Sequence, residues 1–332
     1  MKHWRTITRT AGALSLVMLL GVGTYVPGLH AQEGLFEEPQ AESEGDEALD
    51  VAMVQGGSLL LAPGRWQIEP SLTYANIVSN NLNVIGLSIA GIPEVTLFAI
   101  TQSEKIRRDI LIPSLTIRRG LTQRTQADVR IPYRFQWQRN STGDGTEETS
   151  SASDIGDIEA SLSYQLMSES VGRPGLIFNV GAKSDTGKFT FEPGQVSTGT
   201  GGWSGRTGLL FVKTDDPMVF FGKIGYTYNG DVDVNSPTVN TLEPGDTVEF
   251  ALGASVALSY RSALSFAVSQ AFTFESKQDG RSLPNSQLSS ATLKVGVTHS
   301  LTENMSMDLG VTAGLTDDAP DVTWDIRVPY TF

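Results

Sequence analysis

Apolar and polar residues alternate along most of this chain with a period of two. In 124–138 one face reads Ala127, Val129, Ile131, Tyr133, Phe135, Trp137, and the other Gln126, Asp128, Arg130, Pro132, Arg134, Gln136. In 247–259 Val248, Phe250, Leu252, Ala254, Val256 and Leu258 oppose Glu249, Ala251, Gly253, Ser255 and Ala257. Such alternation marks a β-strand with one apolar face. Twelve runs of this kind follow one another: 65–77, 108–119, 124–138, 155–167, 174–184, 203–214, 218–229, 247–259, 262–275, 288–300, 304–315 and 320–332. The gaps between them are short and long in turn. Short gaps are 120–123, 168–173, 215–217, 260–261 and 301–304; long ones are 78–107, 139–154, 185–202, 230–246 and 276–287. The last gap, 317–320, is short but falls on the long side. Strands of about ten residues, tight turns at one end and long loops at the other, suit a sheet that crosses a hydrocarbon layer and returns. An unpaired backbone group in lipid costs several kcal/mol, so such a sheet must close on itself. The expected fold is all-β: a transmembrane antiparallel up-and-down β-barrel of about 12 strands, with 14 possible.

The alternation is symmetric between an apolar face turned inward, as in a soluble sandwich, and one turned outward to lipid. The polar face breaks the tie. It carries Gly, Ala and Ser as often as charges, as a narrow interior requires, and its charges have both signs. Glu69, Asp128, Asp157, Glu159, Glu249, Asp308 and Asp325 share it with Arg118, Arg130, Arg134, Lys183, Arg206, Lys223, Lys294 and Arg327. These fifteen are the expected pore-lining residues, able to pair across a wet lumen. Aromatic residues of the apolar face cluster at strand ends. Trp66, Tyr164, Tyr330 and Phe332 fall at the short-turn end, and Trp137, Trp203, Tyr226, Tyr228, Phe250, Phe272, Phe274 and Trp324 at the long-loop end. Two aromatic girdles are a membrane-barrel feature. Gln270, Thr207, Pro70 and Pro113 break the pattern on the lipid face.

Gap 78–107 is too apolar for an ordinary loop, with Leu82, Val84, Ile85, Leu87, Ile89, Ile92, Val95, Leu97, Phe98 and Ile100 inside it. Two more spanning strands would make fourteen. Because 83–90 and 94–101 are short and alternate poorly, a hairpin above the membrane or a fold into the lumen is expected instead.

The two ends differ from the rest. Lys2, Arg5 and Arg9 precede an apolar stretch, Ala11 to Val26, and then Leu29-His30-Ala31. That is the layout of a secretory signal peptide, 1–31, cut near Ala31. Residues 32–60 form an acidic segment expected to be disordered: 33–50 hold eight carboxylates and no Lys or Arg. The barrel is expected over 61–332. Its last run, "VTWDIRVPYTF", keeps strict alternation to the final residue.

Composition narrows the function. The chain has no Cys and three His, of which only His299 lies beyond the signal peptide, so disulfides and thiolate or multi-His metal sites are excluded. A net charge of −13 without a basic stripe speaks against nucleic acid. No cofactor is expected and no enzymatic activity. His299 has no Ser two residues away on its own strand, so an outer-membrane hydrolase lacks a visible nucleophile and base. Asp157 and Glu159 read as lumen ion pairs rather than acid and base. The acidic tips 142–148, 229–235 and 316–321 lack calcium-loop spacing. "SDTGK" (184–188) lacks the glycine frame of a phosphate loop.

Five segments carry a family likeness: "APGRWQIEPSLTY" (62–74), "GLTQRTQADVRIPYRF" (120–135), "IGDIEASLSYQL" (155–166), "FFGKIGYTYN" (220–229) and the closing "PYTF". They resemble the Gram-negative outer-membrane barrels grouped as transporters of the phenol-degradation meta-pathway type. The resemblance spans about 60–332. It implies a porin-like channel for passive transport of small, hydrophobic or aromatic solutes. Its partners would be outer-membrane lipid and lipopolysaccharide, the barrel assembly machinery and the solute. The strands are also similar to Fap-type amyloid secretion barrels, which implies an alternative as a secretion channel for a fibrous or disordered client. Those barrels carry a coiled coil, whereas 33–60 have no heptads. A structural barrel without transport is the third reading. Tyr330 and terminal Phe332 resemble the assembly signal of outer-membrane barrels.

Overall fold

A computed structural model of the protein describes residues 60–79, 85–89, 92–98, 105–141, 147–190, 195–234, 240–283 and 286–332. The expected signal peptide and all of the expected acidic segment except Leu60 lie outside the described residues.

The described chain is all strand and loop. β1 (Trp66–Ser79) is followed by a two-stranded hairpin, β2 (Ile85–Ile89) and β3 (Ile92–Phe98). Then come β4 (Lys105–Thr122), β5 (Thr125–Ser141), β6 (Glu147–Ile155), β7 (Glu159–Met167), β8 (Gly175–Lys183), β9 (Ser204–Asp215) and β10 (Met218–Asn229). Two short strands, β11 (Val232–Asp233) and β12 (Thr241–Glu243), precede β13 (Thr247–Ser259) and β14 (Ser262–Thr273). Two more, β15 (Lys277–Gln278) and β16 (Arg281–Ser282), precede β17 (Leu288–Thr302), β18 (Met305–Gly314), β19 (Val322–Arg327) and β20 (Tyr330–Thr331).

All barrel pairings are antiparallel between neighbours in sequence, and the sheet closes where β1 meets β19 and β20. β6 and β7 together make the fourth wall strand, and β19 and β20 the twelfth. The ring therefore has twelve strands, with the hairpin β2–β3 as a separate pair. The hairpin excludes the fourteen-strand alternative.

Two wall strands are interrupted. The twelfth breaks at Val328-Pro329, because proline has no N–H for the ladder. The gap is bridged by Val328 N–H donating to the Pro70 carbonyl at 3.0 Å. The fourth breaks at Gly156-Asp157-Ile158. β6 pairs with the upper half of β5, from Tyr133↔Ile155 to Ser141↔Glu147, and β7 with the lower half, from Thr125↔Tyr164 to Arg130↔Glu159. Gap 139–154 is thus not a plain loop. Its sequence "EETSSASDI" has no apolar face to reveal a strand, since it stands beyond the part that needs one.

The loops at the same end are also more ordered than expected. β11, β12, β15 and β16 form a four-stranded sheet from two loops. Val232, Val234 and Leu242 are buried in it, with Phe189 from a third loop and Leu283 packed against them. Strands of two or three residues are too short to show a period. Only the Asp279-Gly280 turn gives a sequence cue: both residues have positive φ (50° and 74°), as a two-residue hairpin turn demands.

The outward face is apolar and open. All twelve girdle aromatics are exposed, as are Leu72, Val129, Ile131, Leu162, Phe220, Leu252 and Val268. An apolar surface this continuous would be a liability in water and is the normal state in lipid. Gln270, the misfit on this face, is accommodated locally: its amide donates to Ser289 Oγ at 3.0 Å on the neighbouring strand.

Candidate functional site

The inward face is where chemistry concentrates. Wall strands one or two apart bring charges of opposite sign side by side. Arg118 on β4 grips Glu69 on β1 at 2.7 Å and also donates to Gln67 at 2.5 Å. Arg206 on β9 reaches Glu159 on β7 at 2.6 Å, two strands away. Lys223 meets Glu249 at 2.5 Å, Lys294 meets Asp325 at 2.8 Å, and Arg327 lies 3.9 Å from Asp308. Asp128 accepts from Ser161 Oγ at 2.5 Å, and Arg130 donates to Ser114 Oγ at 3.1 Å. Arg134 is buried, in register with Asp154. A bare charge in a narrow lumen with low-dielectric walls would be costly, and pairing lowers that cost. Glycine makes the pairing possible: a Cβ at Gly310 would sit 2.6 Å from Asp325 Oδ1.

Asp157 and Lys183 have a different part. Both are buried, and they pair at 2.8 Å. Asp157 Oδ1 accepts from Gly187 N–H at 2.9 Å; Oδ2 accepts from Thr200 N–H at 2.8 Å and Thr200 Oγ1 at 2.7 Å. Lys183 also donates to the Gly202 carbonyl at 3.2 Å. Together they tie the loop after β8 onto the break in the fourth strand. Ser184 and Thr186 complete the tie by accepting from Ile158 N–H at 3.1 and 2.9 Å. The segment that superficially suggested a phosphate loop is this tether. A Cβ at Gly187 would lie 2.5 Å from Gly199 Cα, so the two arms of the loop can touch only through glycine.

Sequence reading missed Arg108. It is buried on the inward face of β4 and donates from Nε to Gln138 Oε1 at 2.8 Å. The phase of Arg118, ten residues on, would have found it. Two apolar patches interrupt the polar lining. Ala75, Ile77, Ile110 and Ile112 form one at the long-loop half of β1 and β4. Val212, Val219 and Ala263, with Leu210 and Phe221, form the other near the short-turn end.

His299 also gained a neighbour. It is in direct register with Ser262 on β14, and Ser262 Oγ lies 2.9 Å from His299 Nδ1. The sequence could not show this, because the pair forms across strands. Among the described residues no third group is bonded to the ring, and a base without an orienting partner does not make a triad.

The turn after β7 carries one titratable device. Glu169 accepts from Thr214 N–H at 2.6 Å, Thr214 Oγ1 at 3.0 Å and Lys213 Nζ at 3.0 Å. Partial burial pushes its pKa up, but these donors outweigh burial and hold it below the ordinary glutamate value. A depressed carboxylate stabilises the fold above its unfolded pKa, and that gain is lost as pH falls through the folded value. Glu169→Gln is therefore expected to lower the urea midpoint at neutral pH and to match the parent in acid. A difference that does not change with pH would refute the assignment.

The profile of one protein family, described as "Putative MetA-pathway of phenol degradation", matches residues 101–327. The chain belongs to this family. Among solved structures, an outer membrane channel from Pseudomonas putida F1 aligns with 14% identity, covering 83% of this chain and 98% of that one, at a TM-score of 0.64. The transport unit of the autotransporter AIDA-I from Escherichia coli aligns at 12% identity and a TM-score of 0.48, covering 88% and 100%. The toluene transporter TodX of P. putida aligns at 8% and 0.41, covering 82% and 90%. The family member described here thus shares the fold of an outer-membrane β-barrel channel.

Proposed function

We propose that the protein is a porin-like channel for passive transport of small, hydrophobic or aromatic solutes across the outer membrane of a Gram-negative bacterium. The observation that carries the reading is the inward face. Twelve of its fifteen named charges are held in opposite-sign pairs, and between them lie two buried patches of Ile, Val, Leu, Ala and Phe. Paired charges give little attraction for an ion. Leu210 and Phe221, only partly buried beside the second patch, offer contact to an apolar solute, and the family's description, phenol degradation, fits that chemistry.

In this reading the fifteen charged residues named from the sequence line the pore, except that Asp157 and Lys183 serve chiefly to hold the loop after β8. Residues 1–31 are the signal peptide, removed near Ala31. Lipid and lipopolysaccharide surround the wall, and the assembly machinery reads the last strand through Tyr330 and Phe332. The test is uptake of a labelled monoaromatic compound by intact cells. Deleting the gene is expected to slow uptake several-fold, and complementation to restore it. Unchanged uptake, with no conductance of the purified protein in planar bilayers, would remove the channel reading.

A further inference from the structure

We infer that Arg107 and Arg139 form a clamp, on the outer face of the wall, for a phosphate of lipopolysaccharide. The clamp rests on the outer-membrane location and not on whether the barrel conducts.

The first observation is the register between β4 and β5. These strands have 18 and 17 residues, where about 9–11 cross the hydrocarbon layer, so they project beyond it. Near their long-loop ends Arg107 and Arg139 stand directly opposite each other. Both are exposed on the outward face, while the neighbouring pair, Arg108 and Gln138, bonds on the inward face at 2.8 Å. In the other described ladders a charge meets a neutral residue or the opposite sign, as in Arg118↔Asp128, Arg134↔Asp154, Glu159↔Lys183 and Asp308↔Arg327. Among the described residues this is the one register pair of like charges. Opposed residues on one face have Cβ atoms about 4.5–5.5 Å apart, and like charges so placed repel.

The second observation is that no carboxylate relieves the repulsion. Among the described residues neither arginine joins an ion pair. Asp109, one outward step below Arg107, is turned to β1: its Oδ1 accepts from the Tyr74 hydroxyl at 2.7 Å and from Asn76 Nδ2 at 2.8 Å. Glu147, one step above Arg139 on β6, is exposed and joins no ion pair either. A shared anion turns the repulsion into two attractions, and the planar fork of arginine suits the oxygens of a phosphate. Thr149 on β6, exposed and in register with Arg139, adds a hydroxyl at the same height.

Height selects the occupant. The row beneath the arginines holds Trp137, an exposed girdle residue, and girdle aromatics sit at the headgroup level. Arg139 lies two residues further out, about 7 Å along the strand. Long loops mark the external side, where the outer leaflet carries lipopolysaccharide with phosphates on its lipid A sugars. The opposite rim differs. Arg119 is outward there too, but its partners are Trp66 and Ala127, and its guanidinium lies 4.7 Å over the Trp66 ring.

The test is native mass spectrometry of the protein purified from outer membranes in mild detergent. The probes are bisphosphorylated lipid A, dephosphorylated lipid A and phosphatidylglycerol. The parent is expected to bind the bisphosphorylated form several-fold more than either other lipid. Arg107→Gln combined with Arg139→Gln is expected to lose that preference, and Arg119→Gln to keep it, with heat-modifiable migration confirming intact barrels. A parent without the preference would overturn the clamp, and that arm needs no variant to fold. A double variant that keeps the preference would place the phosphate elsewhere and overturn it too. Phosphatidylglycerol bound as well as lipid A would overturn lipopolysaccharide as the occupant. Binding is read on the purified protein whatever its conductance, so failure here and failure of the channel reading are seen separately.

Discussion

Asp157→Ala is expected to cost about 3–5 kcal/mol, the range for removing one partner of a buried ion pair. Asp157 accepts bonds from Lys183, Gly187 and Thr200, and all three donors lose that acceptor together. Lys183 keeps the Gly202 carbonyl and the Thr200 hydroxyl, but this buried ammonium loses the carboxylate it is paired with. The measurable results are a lower urea midpoint and protease cleavage within 184–202 that the parent resists. Asp157→Asn preserves shape and one acceptor oxygen, and should fall between the two. A variant of parental stability with an uncut loop would show that the tether is incidental.

The second large effect concerns the final residue. Phe332 N–H donates to the Trp66 carbonyl at 2.8 Å, and Trp66 N–H donates back to the Phe332 carbonyl at 3.0 Å. The Phe332 ring stacks on Tyr330 with centroids 6.0 Å apart. Deleting Phe332 is expected to remove most of the protein from the outer membrane, because it unpairs Trp66 at the closing seam, where an unpaired group in lipid costs several kcal/mol. Phe332→Ala keeps both backbone bonds and loses only the ring. If the ring is also an assembly address, quantitative blotting of outer membranes should show a several-fold loss for this variant too. Parental levels of Phe332→Ala beside a depleted deletion would assign the whole effect to the seam and discard the address.

Much of this was legible in the sequence because a wall strand cannot hide its period. Each side chain must go to lipid or to the interior, and Val129, Ile131 and Tyr133 can go only one way. That is why the twelve runs became twelve wall strands and why the girdle aromatics are exposed. Phase also predicted that Glu69 and Arg118 share a face, but not that they touch, since partners depend on register between strands. The same limit hid Ser262 from His299. Where lipid imposes no rule, the alternation lapsed: β6 is polar on both faces, and β11, β12, β15 and β16 are too short to show any. The phase of Asp157 says inward and fits its pairing with Lys183 on β8, but not its bonds to Gly187 and Thr200, which come from a loop whose glycines and threonines carry no periodic signal.

The shared core of the loops has a consequence for how this surface can change. Exposed loops of a barrel usually tolerate insertion one at a time. Here Phe189, Val232, Val234, Leu242 and Leu283 are contributed by three separate loops to one buried cluster. Lengthening any one of them, or grafting an epitope into it, disturbs the packing of the other two. The outer surface therefore varies as a block, and a tag placed there to track the protein would best avoid all three loops.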